Sequence, residues 1–106
     1  MEDNIVMESI MGLIVQSGNT KSECMEAIQL AKIGKIDEAR EKIMLANEAL
    51  TEAHRSQTSL LTQEARGGKV EVSMLLIHAQ DHLMNAITFR DLAKEMIDLY
   101  ERINGE

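Results

Sequence analysis

The sequence predicts an all-α fold, an antiparallel three-helix bundle that occupies residues 1–106 as a single domain. The chain has no proline and only 2% aromatic residues, so it lacks the main helix breaker and most side chains that favour sheets. Its hydrophobic residues are mainly Leu, Ile, Met and Ala, which are typical of helical bundles. We predict helices over about residues 4–33, 37–65 and 70–103.

The first helix is predicted to span about residues 4–33, with Gly34 as the C′ residue beyond its end. Gly18 weakens this helix midway, and Thr20 with Glu23 has the spacing of a capping box that would restart it. We therefore expect either one long helix with a kink or two short helices in line.

The second helix has Asp37 as a suitable N-cap and carries apolar residues at helical spacing as far as Ala65. Many of these residues are alanines, whose small side chains allow neighbouring helices to approach closely. The predicted stripe comprises Ala39, Ile43, Ala46, Ala49, Leu50, Ala53, Gln57, Leu60 and Leu61. Gly67 and Gly68 then mark a loop, and because both connections are short, sequential helices should pack antiparallel.

The third helix is apolar on opposite sides, which indicates an oligomer. One face of its second half is predicted to pack inside the bundle, and it comprises Phe89, Leu92, Ala93, Met96, Leu99, Tyr100 and Ile103. In the first half, the opposite side is also apolar and carries Leu76, Leu83, Met84 and Ile87. Since three helices cannot enclose one of their own members, we expect this part of the helix to face other subunits.

A polar cluster interrupts the apolar run over residues 73–89. His78 and His82 are one helical turn apart and can face one site, with Asp81 and Asn85 beside them. The histidines have the spacing of helical metal ligands, but "HAQDH" lacks the glutamate of the zinc-protease motif. Alternatively, His78 is a nucleophile that His82 orients, or the two have no chemical role. Burying such groups without partners is costly, which favours a role.

Two interpretations remain open for each of the polar residues Asp81, His54 and Gln57. If three copies of the third helix meet around a symmetry axis, their Asp81 carboxylates would repel unless protonated or bridged by a hard cation such as Mg²⁺. The alternative is an Asp81 hydrogen-bonded within its own subunit. His54 and Gln57 either reach toward the histidines or lie partly exposed near the end of the second helix.

Charge and composition exclude several classes of partner. The formal net charge of −7 disfavours nucleic acid and anionic membranes. Cys24 cannot form an internal disulfide, and without an obvious histidine or basic neighbour we interpret it as a small buried hydrophobe. No apolar run approaches the ~20 residues that span a bilayer, and the acidic "MEDNIVME" differs from a secretory signal. We expect a cytoplasmic protein without direct membrane insertion.

At "LLIHAQDHLM" the chain resembles the enzyme IIA component of the bacterial sugar phosphotransferase system, lactose/cellobiose (β-glucoside, chitobiose) family. The resemblance covers nearly the whole chain, including "MGLIVQSGNTKSECMEAIQLAKIGKIDEAR" and "AHRSQTSLLTQEARGG". It implies a phosphotransferase component that accepts a phosphoryl group from the carrier protein HPr and passes it to a cysteine of enzyme IIB. A disaccharide is then phosphorylated as it enters through the membrane enzyme IIC. A homotrimer of three-helix subunits, packed mainly through their last helices, is also implied.

The resemblance gives roles to three residues. His78 matches the histidine that is phosphorylated on Nε2, and His82 matches a neighbour that hydrogen-bonds the phosphoryl group. Asp81 matches the residue whose three copies bind a divalent metal, usually Mg²⁺, on the trimer axis. Gln80 and Asn85, from the same or a neighbouring subunit, are candidate amide donors to the phosphoryl oxygens. The competing hypothesis is a non-catalytic helical adaptor with a structural His/Asp metal site.

Overall fold

The computed structural model describes residues 2–105, with side chains from residue 4 onward. Within this range the chain forms three helices and no strand: α1 (Glu2–Lys32), α2 (Ile36–Ala65) and α3 (Met74–Asn104). The helices lie side by side in an elongated bundle of 57 × 19 × 17 Å. The predicted all-α, three-helix fold is confirmed.

Contacts between the helices fix their directions. Near the start of α1, the Ser9 hydroxyl donates to the Ser59 hydroxyl near the end of α2 at 3.0 Å. Near the start of α2, the Arg40 guanidinium contacts the carboxylates of Asp98 (3.2 Å) and Glu101 (2.8 Å) near the end of α3. Each helix is therefore antiparallel to the next, as predicted, and α1 runs parallel to α3.

Helix α1 is continuous, which confirms the alternative of one long helix and shows that the alternative of two short helices, with a restart at Thr20, is wrong. Thr20 is fully buried, and its hydroxyl donates to the Gln16 carbonyl oxygen at 2.9 Å with the Ala46 carbonyl oxygen at 3.4 Å. It therefore points into the bundle and caps nothing. Packing of α1 against both neighbours outweighs the roughly 1 kcal/mol that Gly18 costs inside a helix. A kink near Gly18 stays a prediction.

The connection between α1 and α2 confirms one prediction and shows that another is wrong. Gly34 has φ of +82°, and the amides of Gly34 and Lys35 donate to the carbonyls of Ala31 and Leu30, each at 3.0 Å. This Schellman arrangement confirms Gly34 as the C′ residue of α1. The predicted N-cap at Asp37 is wrong, because α2 begins at Ile36 with Lys35 as its N-cap and no capping side chain.

Helix α3 begins later than predicted, at Met74 instead of about residue 70. Ser73 is extended, and its hydroxyl oxygen accepts a hydrogen bond from the Leu76 amide at 3.1 Å. This N-cap explains the boundary, since a serine oxygen satisfies an amide that has no partner within the helix. Val70 lies outside this helix, in the preceding loop, and packs against the core.

The hydrophobic core consists of two clusters at opposite ends of the bundle. The first, nearer the histidines, contains Ile10, Leu13, Leu50, Ala53, Leu60, Ala79, Leu83 and Ala86. The second contains Cys24, Ala27, Ala31, Ala39, Ile43, Ala46, Ala93 and Ile97. The alanines of α2 confirm the prediction of closely packed helices, although Leu61, assigned to the same stripe, is 57% exposed.

The assignment of the two sides of α3 was partly wrong. Leu83 is fully buried, and Leu76 and Ile87 pack against the first cluster of their own subunit, which leaves Met84 as the exposed member of that set. Conversely, much of the face assigned to the bundle interior is 46–58% exposed: Leu92, Met96, Leu99 and Ile103. The apolar arc of α3 is wider than the surface that α1 and α2 cover, so periodicity alone could not show which edge remains free.

Candidate functional site

The two predicted histidines lie together on the first half of α3. Their ring centroids are 4.8 Å apart, and the ring planes meet edge to face at 89°. His78 is exposed, whereas His82 is half-buried on the side of α3 that faces α1. The two rings lie on one side of α3, as the i, i+4 spacing predicts, and the structure adds that the first is accessible and the second is shielded.

A lysine from another helix fixes the environment of His82. Lys21 Nζ, on α1, lies 3.0 Å from His82 Nδ1. Burial lowers the pKa of His82 below its usual value, and the charges of Lys21 and His78 act in the same direction, while Asp81 opposes them. His82 is therefore a neutral imidazole at pH 7.

Asp81 and Asn85 extend the cluster along the exposed side of α3. The Asn85 amide donates to Asp81 Oδ2 at 3.3 Å, so Asp81 does have a hydrogen bond within its own subunit. Both side chains are exposed, and the contact involves only one of the two carboxylate oxygens. Within residues 2–105 of one subunit, no three His, Cys, Asp or Glu side chains form a group that could hold a metal ion.

Gln57 reaches α3 but not the histidines. Its side-chain amide nitrogen donates to Gln80 Oε1 at 2.9 Å, on the side of α3 that faces α2. Because residues two apart on a helix do not face each other, Gln80 does not serve His78 of its own subunit. Its role across a subunit boundary stays a prediction. His54 is exposed, and its Nδ1 donates to the Leu50 carbonyl oxygen at 3.1 Å, in its own helix.

Sequence reasoning missed the contribution of Lys21 to this cluster. Sixty-one residues separate it from His82, and no local motif joins the two. The contact depends on α1 running parallel to α3, which is a property of the tertiary structure. The only signal for this contact in the sequence was a lysine at the inner edge of a neighbouring helix. That signal is not specific.

The surroundings of His78 are apolar and open. Met74 is 84% exposed and Ile77 is 56% exposed, on the turn of α3 that precedes His78. Exposed apolar side chains around a reactive group favour contact with another protein surface. No helix in the described part of the chain combines the length and apolar character needed to cross a bilayer.

Cys24 is not part of this site. It is fully buried in the second cluster, and burial raises the pKa of its thiol to about 11. A thiol this far from ionisation is a poor nucleophile and metal ligand at neutral pH. Its interpretation as a small buried hydrophobe is confirmed.

Comparison with known proteins identifies the family of this chain. Residues 8–101 match the family described as PTS system, lactose/cellobiose specific IIA subunit. The chain is 50% identical over 104 residues to the lichenan-specific phosphotransferase enzyme IIA component of Bacillus subtilis strain 168, which covers 97% of this chain and 94% of that protein.

Solved structures show the same fold. The crystal structure of the PTS cellobiose-specific enzyme IIA from Bacillus anthracis has a TM-score of 0.92 and 53% identity, covering 95% of this chain and 93% of that one. The IIA(chitobiose) chain of the Escherichia coli complex with HPr has a TM-score of 0.81 and 39% identity, covering 93% and 96%. Because the family match extends over residues 8–101 and half of the residues are shared with a relative, the chain belongs to the lactose/cellobiose-specific IIA family of the sugar phosphotransferase system.

Proposed function

We propose that this phosphotransferase-system IIA component carries its phosphoryl group on Nε2 of His78. The observation that carries the proposal is the pairing of an exposed His78 with a neutral, half-buried His82 one turn away. A phosphocarrier needs an accessible nucleophilic nitrogen, which His78 supplies. It also needs a hydrogen-bond donor beside the incoming group, which His82 supplies.

In the transfer step, neither the donor imidazole nor the His78 imidazole gains or loses a proton. The lone pair of His78 Nε2 forms a bond to phosphorus while the phosphorus–nitrogen bond of the donor phosphohistidine breaks, and its electron pair returns to the donor ring. His78 keeps its proton on Nδ1 throughout. Transfer onward reverses this sequence, with a thiolate as the attacking group. Such a transfer depends on positioning and on stabilising the phosphoryl oxygens.

The partners proposed for this chain are HPr as donor and enzyme IIB as acceptor, which delivers to membrane enzyme IIC. Support for HPr comes from the Escherichia coli IIA(chitobiose) structure, which was determined as a complex with HPr. The apolar surroundings of His78, including Met74 and Ile77, suit a site that two different proteins contact in turn. Such exchange would take place in the cytoplasm, and the phosphoryl group would pass through enzyme IIB to a disaccharide of the cellobiose, chitobiose or lactose type.

We further propose that the working unit is a homotrimer assembled through α3. An exposed stripe runs along this helix at three- and four-residue spacing, and it comprises Asp81, Asn85, Thr88, Leu92, Met96, Leu99 and Ile103. Spacing of this kind is typical of helices that pair with copies of themselves. A groove of about 730 Å³ between α1 and α3, lined by Met25, Ile28, Phe89 and Leu92 among others, continues this surface. A neighbouring α3 would fill it.

A trimer of this kind would bring three Asp81 carboxylates together, and we propose that they bind Mg²⁺. Asp81 lies on the stripe, is exposed and uses only one oxygen in its contact with Asn85. Carboxylate oxygens are ligands that this hard cation prefers. Its charge would offset the repulsion between the carboxylates, so the metal would have a structural role.

Intact-mass measurement tests the phosphate site. With enzyme I, HPr and phosphoenolpyruvate, the protein should gain one phosphate per subunit that is stable in base and labile in acid. His78→Ala should gain none, while His54→Ala, a histidine change on α2, should gain the full phosphate. Phosphate on His78→Ala would identify a different nucleophile. Absence of acid-labile phosphate from the unmodified protein would favour the non-catalytic adaptor with a structural His/Asp metal site.

A further inference from the structure

The Lys21 ammonium group makes a specific contact that the phosphate site, as proposed above, does not use. Its Nζ lies 3.0 Å from His82 Nδ1, and the two residues belong to different helices. An ammonium group has three donors and no acceptor, so the ring nitrogen must accept. Contact with Lys21 therefore excludes the tautomer of His82 that carries its proton on Nδ1.

We propose that Lys21 is a positioning residue for phosphoryl transfer, because it holds the His82 proton on Nε2. In a neutral imidazole, the hydrogen bond made by one nitrogen decides which nitrogen carries the proton. His82 would otherwise distribute its proton between two positions, and only the Nε2–H form presents a donor at the outer end of the ring. This inference rests on the proposed phosphorylation of His78.

The geometry of the histidine pair shows where this donor is needed. His82 lies one turn after His78, with ring centroids 4.8 Å apart and planes nearly perpendicular. The oxygens of a phosphoryl group on His78 Nε2 would lie on the same exposed side of α3. Nδ1 of His82 is turned toward α1 by Lys21, so Nε2 is the nitrogen left to bond those oxygens. Lys21 acts on the phosphate through His82.

The surroundings of Lys21 favour a fixed contact over a transient one. The residue is half-buried and lies at the edge of the groove between α1 and α3, beside Asn85 and Phe89. Hydrogen bonds to a histidine commonly orient its ring and select its tautomer. The residue that makes such a bond therefore influences a reaction through the histidine. An arginine at this position could make the same donation, whereas methionine could not.

Nitrogen-15 NMR of the unphosphorylated protein tests the tautomer directly. His82 should show a protonated Nε2 and an unprotonated Nδ1 in the unmodified protein, and Lys21→Met should shift it toward a mixture of tautomers. Lys21→Arg should preserve the original signature. Lys94→Met, which removes a lysine from an exposed part of α3, should leave it unchanged. A proton on Nδ1 of His82 in the unmodified protein would overturn the proposal, whatever the variants do.

The lifetime of the phosphoprotein tests the functional consequence. Lys21→Met should still gain one phosphate per subunit, but that phosphate should be lost about twofold faster, because a mixture of tautomers presents the Nε2–H donor in only about half of the molecules. Lys21→Met combined with His82→Ala should lose phosphate no faster than His82→Ala alone. Additive effects in the double variant would mean that Lys21 acts independently of His82. Failure of the proposed function would instead appear as phosphate on His78→Ala, so the two failures are distinguishable.

Discussion

The rings of His78 and His82 meet edge to face with centroids 4.8 Å apart, and only the first of them is exposed. One helical turn thus combines an accessible nitrogen with a shielded one. Burial and the charge of Lys21 favour the neutral form of the second ring, because both lower the pKa of His82. The difference between two identical side chains therefore arises because α1 covers His82 and leaves His78 exposed.

Replacing His82 should weaken the phosphate site without abolishing it. His82→Ala removes the proposed donor but leaves His78 in place, so we expect full phosphorylation with a shorter-lived product. Loss of one such hydrogen bond costs about 1–3 kcal/mol. His82→Gln, which retains an amide donor, should recover part of the lifetime. Time-resolved intact mass under mildly basic conditions measures each variant, and an unchanged lifetime in His82→Ala would exclude a role for this ring.

Charge on the exposed stripe of α3 should prevent assembly. Leu92→Lys would place an ammonium group in the proposed interface, and we expect multi-angle light scattering to change from three subunit masses to one. Leu61→Lys provides a matched control, because Leu61 is 57% exposed and Leu92 is 58% exposed, but Leu61 lies on α2. A monomeric unmodified protein at micromolar concentration would contradict both the interface and the shared metal site.

Asp81→Leu should keep the trimer and lose the metal. Removing three clustered carboxylates also removes their mutual repulsion, so assembly no longer needs a cation. Metal analysis should find about one Mg²⁺ per trimer in the unmodified protein and none in this variant. Asp91→Leu, which removes another exposed carboxylate of α3, should retain the metal. Equal metal content in all three proteins would exclude Asp81 as the ligand.

Ionisation of Cys24 should reduce stability at high pH. Its pKa is about 11 in the folded protein and 9.0 in an unperturbed thiol, so the unfolded chain loses this proton first. The contribution is fully present below pH 9 and is lost as the pH rises toward 11, up to about 2–3 kcal/mol. Urea unfolding at several pH values measures the effect, with Cys24→Ala as reference because every other effect of high pH acts on both proteins. A constant difference between the two proteins across this range would contradict it.

Sequence patterns were sufficient for the fold and for the two histidines. Helical periodicity, the absence of proline and the glycines after the first two helices predict three helices, and Gly34 ends α1 as expected. Local boundaries were less certain, because serine at position 73 and aspartate at position 37 are equally good N-caps in isolation. Only Ser73 acts as one, since the start of α2 follows directly from the turn at Gly34.

The tertiary structure decided which apolar surface of α3 remains open and what surrounds each polar residue. Periodicity places His78 and His82 on one side of a helix, because the helical repeat is a local property of the chain. Leu83 could be assigned to the interior and Leu92 to the surface only once α1 and α2 had covered part of α3. The Lys21 contact likewise exists because two helices distant in sequence run parallel. A local repeat specifies the elements of this protein, and the packing of those elements specifies the chemistry of its histidines.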